Sequence, residues 1–249
     1  MGCGASTVPP WPSVAPDGVL HLGNSDREEA SQILGKAFAG TPTADPEWAF
    51  HYVMGPPFAD RAEPQRAAMM TFLLGFDLFS KTGVNLFGIR GESGELQGAM
   101  VCYKSPGGTK GTGTSACGQL SYITSHKSVP LYMKNGRTID KRLYKLVAIM
   151  KKMQGLHAPG PHYYVSMVGI EPALQGQKLG SKLIRALSTM ADSEGLPCYL
   201  ECSGKKMRDM YVHLGYEEKA CETVSVERDV AGHAPFEELY AMLRPAQKQ

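Results

Sequence analysis

Three features of this chain could do chemistry, and they lie close together in sequence. The hexapeptide Gln175-Gly-Gln-Lys-Leu-Gly180 is a polar, small-residue turn that opens directly into a helix. Free N–H groups at such a helix start, with the positive end of the helix dipole, make an anion site, most naturally for a pyrophosphate. Gln175, Gly176, Gln177, Lys178, Leu179, Gly180 and Ser181 are the residues that would form it. Glu201 sits in an apolar strand-like run, where a carboxylate is costly. Tyr211 lies just beyond, and an unperturbed phenol has a pKa of about 10. His162 and His213 are the other candidate bases. No Ser-His-Asp set and no metal-ligand constellation is present, so no metal is expected.

The elements that must carry these residues are legible from their patterns. Tyr163 to Ile170 is apolar, aromatic and β-branched, as a half-buried strand is. Glu171-Pro172 ends it, because proline donates no hydrogen bond and restricts its predecessor. Leu179, Leu183, Ile184, Leu187 and Ala191 then fall on one helix face. Leu196 to Ser203 is a second strand, so the three elements form a β–α–β unit with parallel strands. Lys205 to Gly215 is a helix with Met207, Met210, Tyr211 and Leu214 on one face and Gly215 closing its end.

Upstream, Val19 to Leu22 is a short strand. Ser25 with Glu28 forms a capping box for a helix bearing Ile33, Leu34, Ala37 and Phe38. Thr41 to Pro64 predicts irregular structure with a short helix, and Met69 to Phe79 an apolar helix. Val84 to Arg90 and Leu96 to Tyr103 read as a hairpin. Ser105 to Gly118 predicts a flexible surface loop without a Walker ending. Lys127 to His157 is a basic helix with an apolar stripe at Leu143, Leu146, Val147, Met150 and Met153. Its cations read as a solvated face, a phosphate or acidic-substrate site, or an anionic membrane surface, in that order. Nucleic acid is not expected, because no aromatic residues interleave the charge. Ala220 to Glu227 and Glu237 to Leu243 fit two closing strands.

The turn at Gln175 to Gly180 resembles motif A of the GCN5-related N-acetyltransferase superfamily, Gln/Arg-x-x-Gly-x-Gly/Ala. Lys178 stands where that motif has its middle glycine. Leu200-Glu201…Tyr211-Val-His-Leu-Gly-Tyr216 resembles motif B, with Met207 at the position of its asparagine. The layout is closest to puromycin N-acetyltransferase-like proteins. The resemblance implies a GNAT-like mixed α/β fold, a twisted sheet that is antiparallel except for one parallel β–α–β crossover, flanked by helices. It also implies acetyl-coenzyme A as co-substrate and direct acetyl transfer to an amine whose identity the sequence does not encode. Backbone of Val168, Gly169 and Ile170 would hold the pantetheine chain and the thioester carbonyl. Glu201 would act as base for the amine, and Tyr211 as acid for the leaving thiolate. A coenzyme-A-binding regulator without turnover and a membrane-tethered scaffold are the rival readings.

The 249 residues are 43% hydrophobic with a formal net charge of +2, enough for one elaborated domain. Six cysteines without a Cys-x-x-Cys pair suggest neither a zinc ribbon nor a redox dithiol. No run is long or apolar enough to span a membrane. Residues 1–18 read as a proline-rich tether, 19–249 as the acetyltransferase domain, and about 161–227 as its cofactor-binding core. Met1-Gly-Cys-Gly-Ala-Ser6 fits a myristoylation pattern with Gly2 as acceptor and Cys3 as a palmitoylation site. The expectation is therefore a cytoplasmic protein that is either anchored to the membrane through Gly2 or carries an unmodified leader.

Overall fold

The computed structural model describes residues 14–15, 18–40, 52–53, 62–108, 112–126, 129–224 and 236–247. Gly2, Cys3 and most of the Thr41 to Pro64 segment lie outside the described residues. An eight-stranded sheet runs through the molecule in the order β1 (Val14–Ala15), β2 (Val19–Leu22), β4 (Asn85–Arg90), β5 (Leu96–Ser105), β7 (His162–Ile170), β8 (Cys198–Ser203), β10 (Phe236–Arg244), β9 (Glu217–Val224). Every neighbouring pair is antiparallel except β7 and β8, which are parallel. β3 (Lys81–Thr82) and β6 (Gly113–Thr114) pair separately. The helices are α1 (Arg27–Ala39), α2 (Glu63–Ser80), α3 (Ala116–Ser125), α4 (Val129–His157), α5 (Leu179–Ser193) and α6 (Gly204–His213).

Two apolar layers sandwich the sheet, and strand alternation sorts residues between them. Leu86, Val101, Tyr103, Tyr164 and Tyr199 face α1, α2 and α4, packing with Leu34, Met70, Leu74, Leu146 and Met153. Phe87, Met100, Cys102, Tyr163, Cys198 and Leu200 face α5 and α6, packing with Leu183, Ile184, Leu187 and Tyr211. Gly169 lets α1 approach β7, because a Cβ there would stand 3.0 Å from Ala37 Cβ and from Leu34 Cδ2.

Several local readings change. The first helix starts at Arg27, one residue later than a Ser25 cap implies; the Asp26 carboxylate accepts the Gly23 N–H at 2.7 Å instead. Part of the expected loop at 105–118 is ordered into β6 and the start of α3. Ser115 caps α3 by accepting the Gly118 N–H at 3.1 Å, and Gly118 sits against the Phe79 carbonyl, where a Cβ would approach to 2.3 Å. Val14–Ala15, within the expected tether, pairs with β2 as the sheet's edge strand. Met207 is 39% exposed and does not share the buried face of Tyr211. The last strand is β10, which lies between β8 and β9.

The strongest polar tie holds the C-terminal end of α5 to the last strand. Arg244 donates to both Asp192 oxygens at 2.8 and 2.6 Å, and Gln247 N–H adds a third bond at 2.8 Å. Arg244 and Asp192 side chains are only 6% and 12% exposed, so removing one strands the other. Asp192→Ala is expected to cost about 3 kcal/mol in urea unfolding near neutral pH. Arg244 holds the Asp192 carboxyl below its ordinary pKa. The pair's contribution is therefore full above that ordinary value and is lost as pH falls through the depressed one. A cost under about 1 kcal/mol would mean the pair is no more than a surface contact.

Candidate active site

The site begins with a defect in strand pairing. β5 pairs Val101 with Met167 and Cys102 with Val165, so Ser166 is an extra residue on β7. The bulge reverses the alternation: Val165 faces α5, yet Met167, two residues on, faces α1. Bulges bend and over-twist a strand. On the other side, β7 pairs with β8 only at Tyr163↔Cys198 and Tyr164↔Tyr199. Residues 165–170 and 200–203 then diverge as the two arms of a V.

At the open end of the V stands the turn read from sequence. Pro172–Leu174 forms a single 3-10 turn after Glu171, and Lys36 of α1 fixes that Glu171 at 3.0 Å. Lys178 is the N-cap of α5 and takes φ 64°, the only non-glycine with positive φ among the described residues. A left-handed conformation costs a side-chain-bearing residue about 1 kcal/mol, which is why glycine suits this position. The first intrahelical bond of α5 runs from Lys182 N–H to Lys178 O at 3.0 Å. The N–H groups of Leu179, Gly180 and Ser181 precede it, and no side chain caps them. A Cβ at Gly176 would meet nothing within 4 Å, and one at Gly180 only Ile170 Cγ1 at 3.7 Å. The cradle is open, with amides pointing out of an uncapped helix. Gln175 and Gln177 are exposed beside it, and Val168 and Ile170 pack toward α5 on the adjoining arm.

Glu201 lies two residues past the last β7–β8 pair, at the crotch of the V. Tyr164 OH donates to its Oε2 at 2.6 Å. Its Oε1 and the Tyr199 hydroxyl are both buried without a well-formed hydrogen bond. The phenol is still near enough to favour the ionised carboxyl. Burial outweighs both phenols and pushes the carboxyl up to about 7. Tyr103 stacks on Tyr164 with centroids 4.9 Å apart, and the Tyr164 and Tyr199 rings stand 5.9 Å apart. Burial, then the Glu201 charge, raise the Tyr103 hydroxyl to about 12.

Tyr211 sits across the sheet from this group. Gly204, at φ 75°, turns the chain from β8 into α6, which folds back on the α5 side. Tyr211 is 6% exposed and makes an edge contact with Tyr216, centroids 5.5 Å apart. Glu201 and Tyr211 are thus not neighbours but occupy opposite faces of the diverging strands. His162 is fully buried; Gly160 O lies 2.8 Å from Nδ1 and Gln154 Nε2 lies 3.0 Å from Nε2. Both ring nitrogens are engaged and desolvation lowers its pKa, so His162 is a neutral spacer and not a base. His213 is exposed at the end of α6. Sequence reading missed Tyr103, Tyr164 and Tyr199, whose only signal was aromatic residues at alternating strand positions.

Residues 142–216 match the family described as acetyltransferase (GNAT). An uncharacterized N-acetyltransferase of Schizosaccharomyces pombe is 36% identical over 70 residues, 28% of this chain and 29% of that protein. The match therefore spans less than a third of that relative's length. A histone acetyltransferase HPA2 and related acetyltransferase from Corynebacterium glutamicum superposes with a TM-score of 0.52 at 17% identity, covering 93% of this chain and 97% of that one. A Drosophila melanogaster polyamine N-acetyltransferase gives 0.52 at 13% identity, covering 91% and 98%. Residues 142–216 thus carry the GNAT family's sequence pattern, and the chain as a whole has the GNAT fold. The matched segment is the part that carries α5, β8 and α6, and the family supports acetyl transfer in general. Among the described residues no group of ligating side chains could hold a metal ion, and no helix is long and apolar enough to cross a membrane.

The Glu201 carboxyl has a consequence for stability. Its folded pKa of about 7 lies above the ordinary 4.5, so the folded state binds more protons between those values. Stability should fall as pH rises through that window, by up to about 3 kcal/mol. Glu201→Gln lacks the titration and should be the more stable protein at about pH 8, with the gap closing at about pH 5. Melting temperatures of both proteins at both pH values test this. A constant difference would show that the carboxyl is not desolvated.

Proposed function

We propose that this protein transfers an acetyl group from acetyl-coenzyme A to a primary amine by direct attack, with no covalent enzyme intermediate. The parting of β7 from β8 supports this reading most: it leaves an unpaired strand edge between an anion cradle and a buried carboxylate. The residues present fit the co-substrate. Leu179, Gly180 and Ser181 N–H groups would take the pyrophosphate, with Gly176 and Gly180 leaving room and Lys178 adding charge. Backbone of Val168, Gly169 and Ile170 would pair with the pantetheine amides, as one more strand would. When bound, the co-substrate supplies an activated acetyl thioester.

The chain's own groups divide the proton transfers between the two faces. Glu201, poised near neutrality, accepts the proton that an ammonium must lose before it can attack. A β7 N–H stabilises charge developing on the carbonyl oxygen. Tyr211, on the α5–α6 side, gives a proton to the departing thiolate. Base and acid on opposite faces suit an attack in which amine and thiol lie on opposite sides of the carbonyl carbon.

Gly180→Asp tests the cradle without threatening the fold, since a side chain there meets only Ile170. Calorimetric titration with acetyl-coenzyme A should lose measurable binding in this variant, and normal affinity would place the pyrophosphate elsewhere. Tyr211→Phe should lower kcat at neutral pH by about tenfold to a hundredfold, with the loss shrinking at high pH where the thiolate leaves unprotonated. A neutral-pH rate equal to the parent's would remove Tyr211 from the reaction.

A further inference from the structure

The amine side of the site carries a charge pattern that selects among amines. Resting on the acetyl-transfer reading above, we infer that the acceptor is a primary amine bearing no carboxylate next to its nitrogen, taken up as the ammonium by Glu201 and the rings of Tyr103, Tyr164 and Tyr199.

Three observations carry this. Tyr164 and Tyr199 pack on the α2–α4 side, and Glu201, bonded to Tyr164, shares that face, away from Tyr211. Within the cluster, Tyr164 satisfies one carboxylate oxygen at 2.6 Å, while Glu201 Oε1 and the Tyr199 hydroxyl lack a well-formed bond. The Tyr199 hydroxyl faces the carboxylate, but each carboxylate oxygen has room to accept beyond one phenol, and a primary ammonium brings three N–H donors. The stacked Tyr103 and Tyr164 and the adjacent Tyr199 present aromatic rings, which attract a cation.

Among the described residues the cluster has no positive charge to offer a ligand. The other charge acting on Tyr103 is Asp77, itself paired with Lys81 at 2.6 Å. His162, which meets Tyr199 edge-on, is neutral, with both nitrogens engaged. Among the described residues no Lys or Arg bonds to Glu201, Tyr103, Tyr164 or Tyr199. An α-amino acid would place its own carboxylate within about 5 Å of Glu201 with no counter-charge, a repulsion worth about a hundredfold in affinity at the effective dielectric of a protein.

Matched pairs differing only in that carboxylate isolate the effect: tyramine against tyrosine, and cadaverine against lysine. With saturating acetyl-coenzyme A, thiol release should show kcat/KM at least about a hundredfold higher for the decarboxylated member of each pair. In Glu201→Gln turnover falls, and the ratio between members of a pair should shrink to within about tenfold, because the repelling charge is gone. Equal rates within each pair in the parent protein would overturn this inference and leave acetyl transfer standing. No thiol release with any of the four amines would overturn the acetyl-transfer reading, and this inference with it. A ratio unchanged by Glu201→Gln would assign the selectivity to some other group and overturn the role given to Glu201.

Discussion

The hydrogen bonds that β7 and β8 do not make govern this molecule. A sheet interior normally satisfies every backbone donor and acceptor, and leaving a row of them open is expensive. Here one surplus residue, Ser166, bends β7 away from its parallel neighbour while β5 holds its other edge along its length. The α5 and α6 helices can then pack beneath the arms of the V, and α1, α2 and α4 above them, without filling it. The anion cradle at one end and the carboxylate at the other are placed by the same divergence.

Glu201 shows how the fold sets reactivity by position. Had the strands stayed paired, residue 201 would lie deep in a continuous sheet between two apolar layers. At the crotch of the V it keeps a hydrogen bond from Tyr164, yet burial remains the larger effect. The result is a group that changes charge near neutrality, at the one point where both strands are within reach. Tyr103, Tyr164 and Tyr199 insulate it without supplying a cation that would pull its pKa down again.

Much of this was legible in the chain itself, because the decisive elements have clean periodicity. Tyr163 to Ile170, the Leu179 to Ala191 face and Leu196 to Ser203 announce a β–α–β unit, and Gly176 and Gly180 announce an open turn. The exact start of α1 was not legible, since Ser25 and Asp26 are both good caps and the choice depends on how Gly23 packs. The order around Gly118 was hidden because that glycine serves close contact with the Phe79 carbonyl and not looseness. Met207 looked like a core residue by spacing, but it lies in the exposed run 205–207 at the start of α6. The tyrosine cluster was not legible, because alternation assigns a residue to a face but not to a neighbour, and the meeting of Tyr164 and Glu201 depends on the β7–β8 register.

The two ends of α5 are treated in opposite ways. Asp192, near the negative end of the helix dipole, is a poor choice electrostatically unless neutralised, and Arg244 from β10 neutralises it. Leu179, at the positive end, is left uncapped. About 20 Å of helix separates them, roughly twice the screening length at physiological salt. The acid that anchors the helix therefore cannot compete with an arriving anion for the amides at the other end. In mechanical terms α5 is a cantilever, clamped where it meets β10 and with its charged tip offered to the ligand.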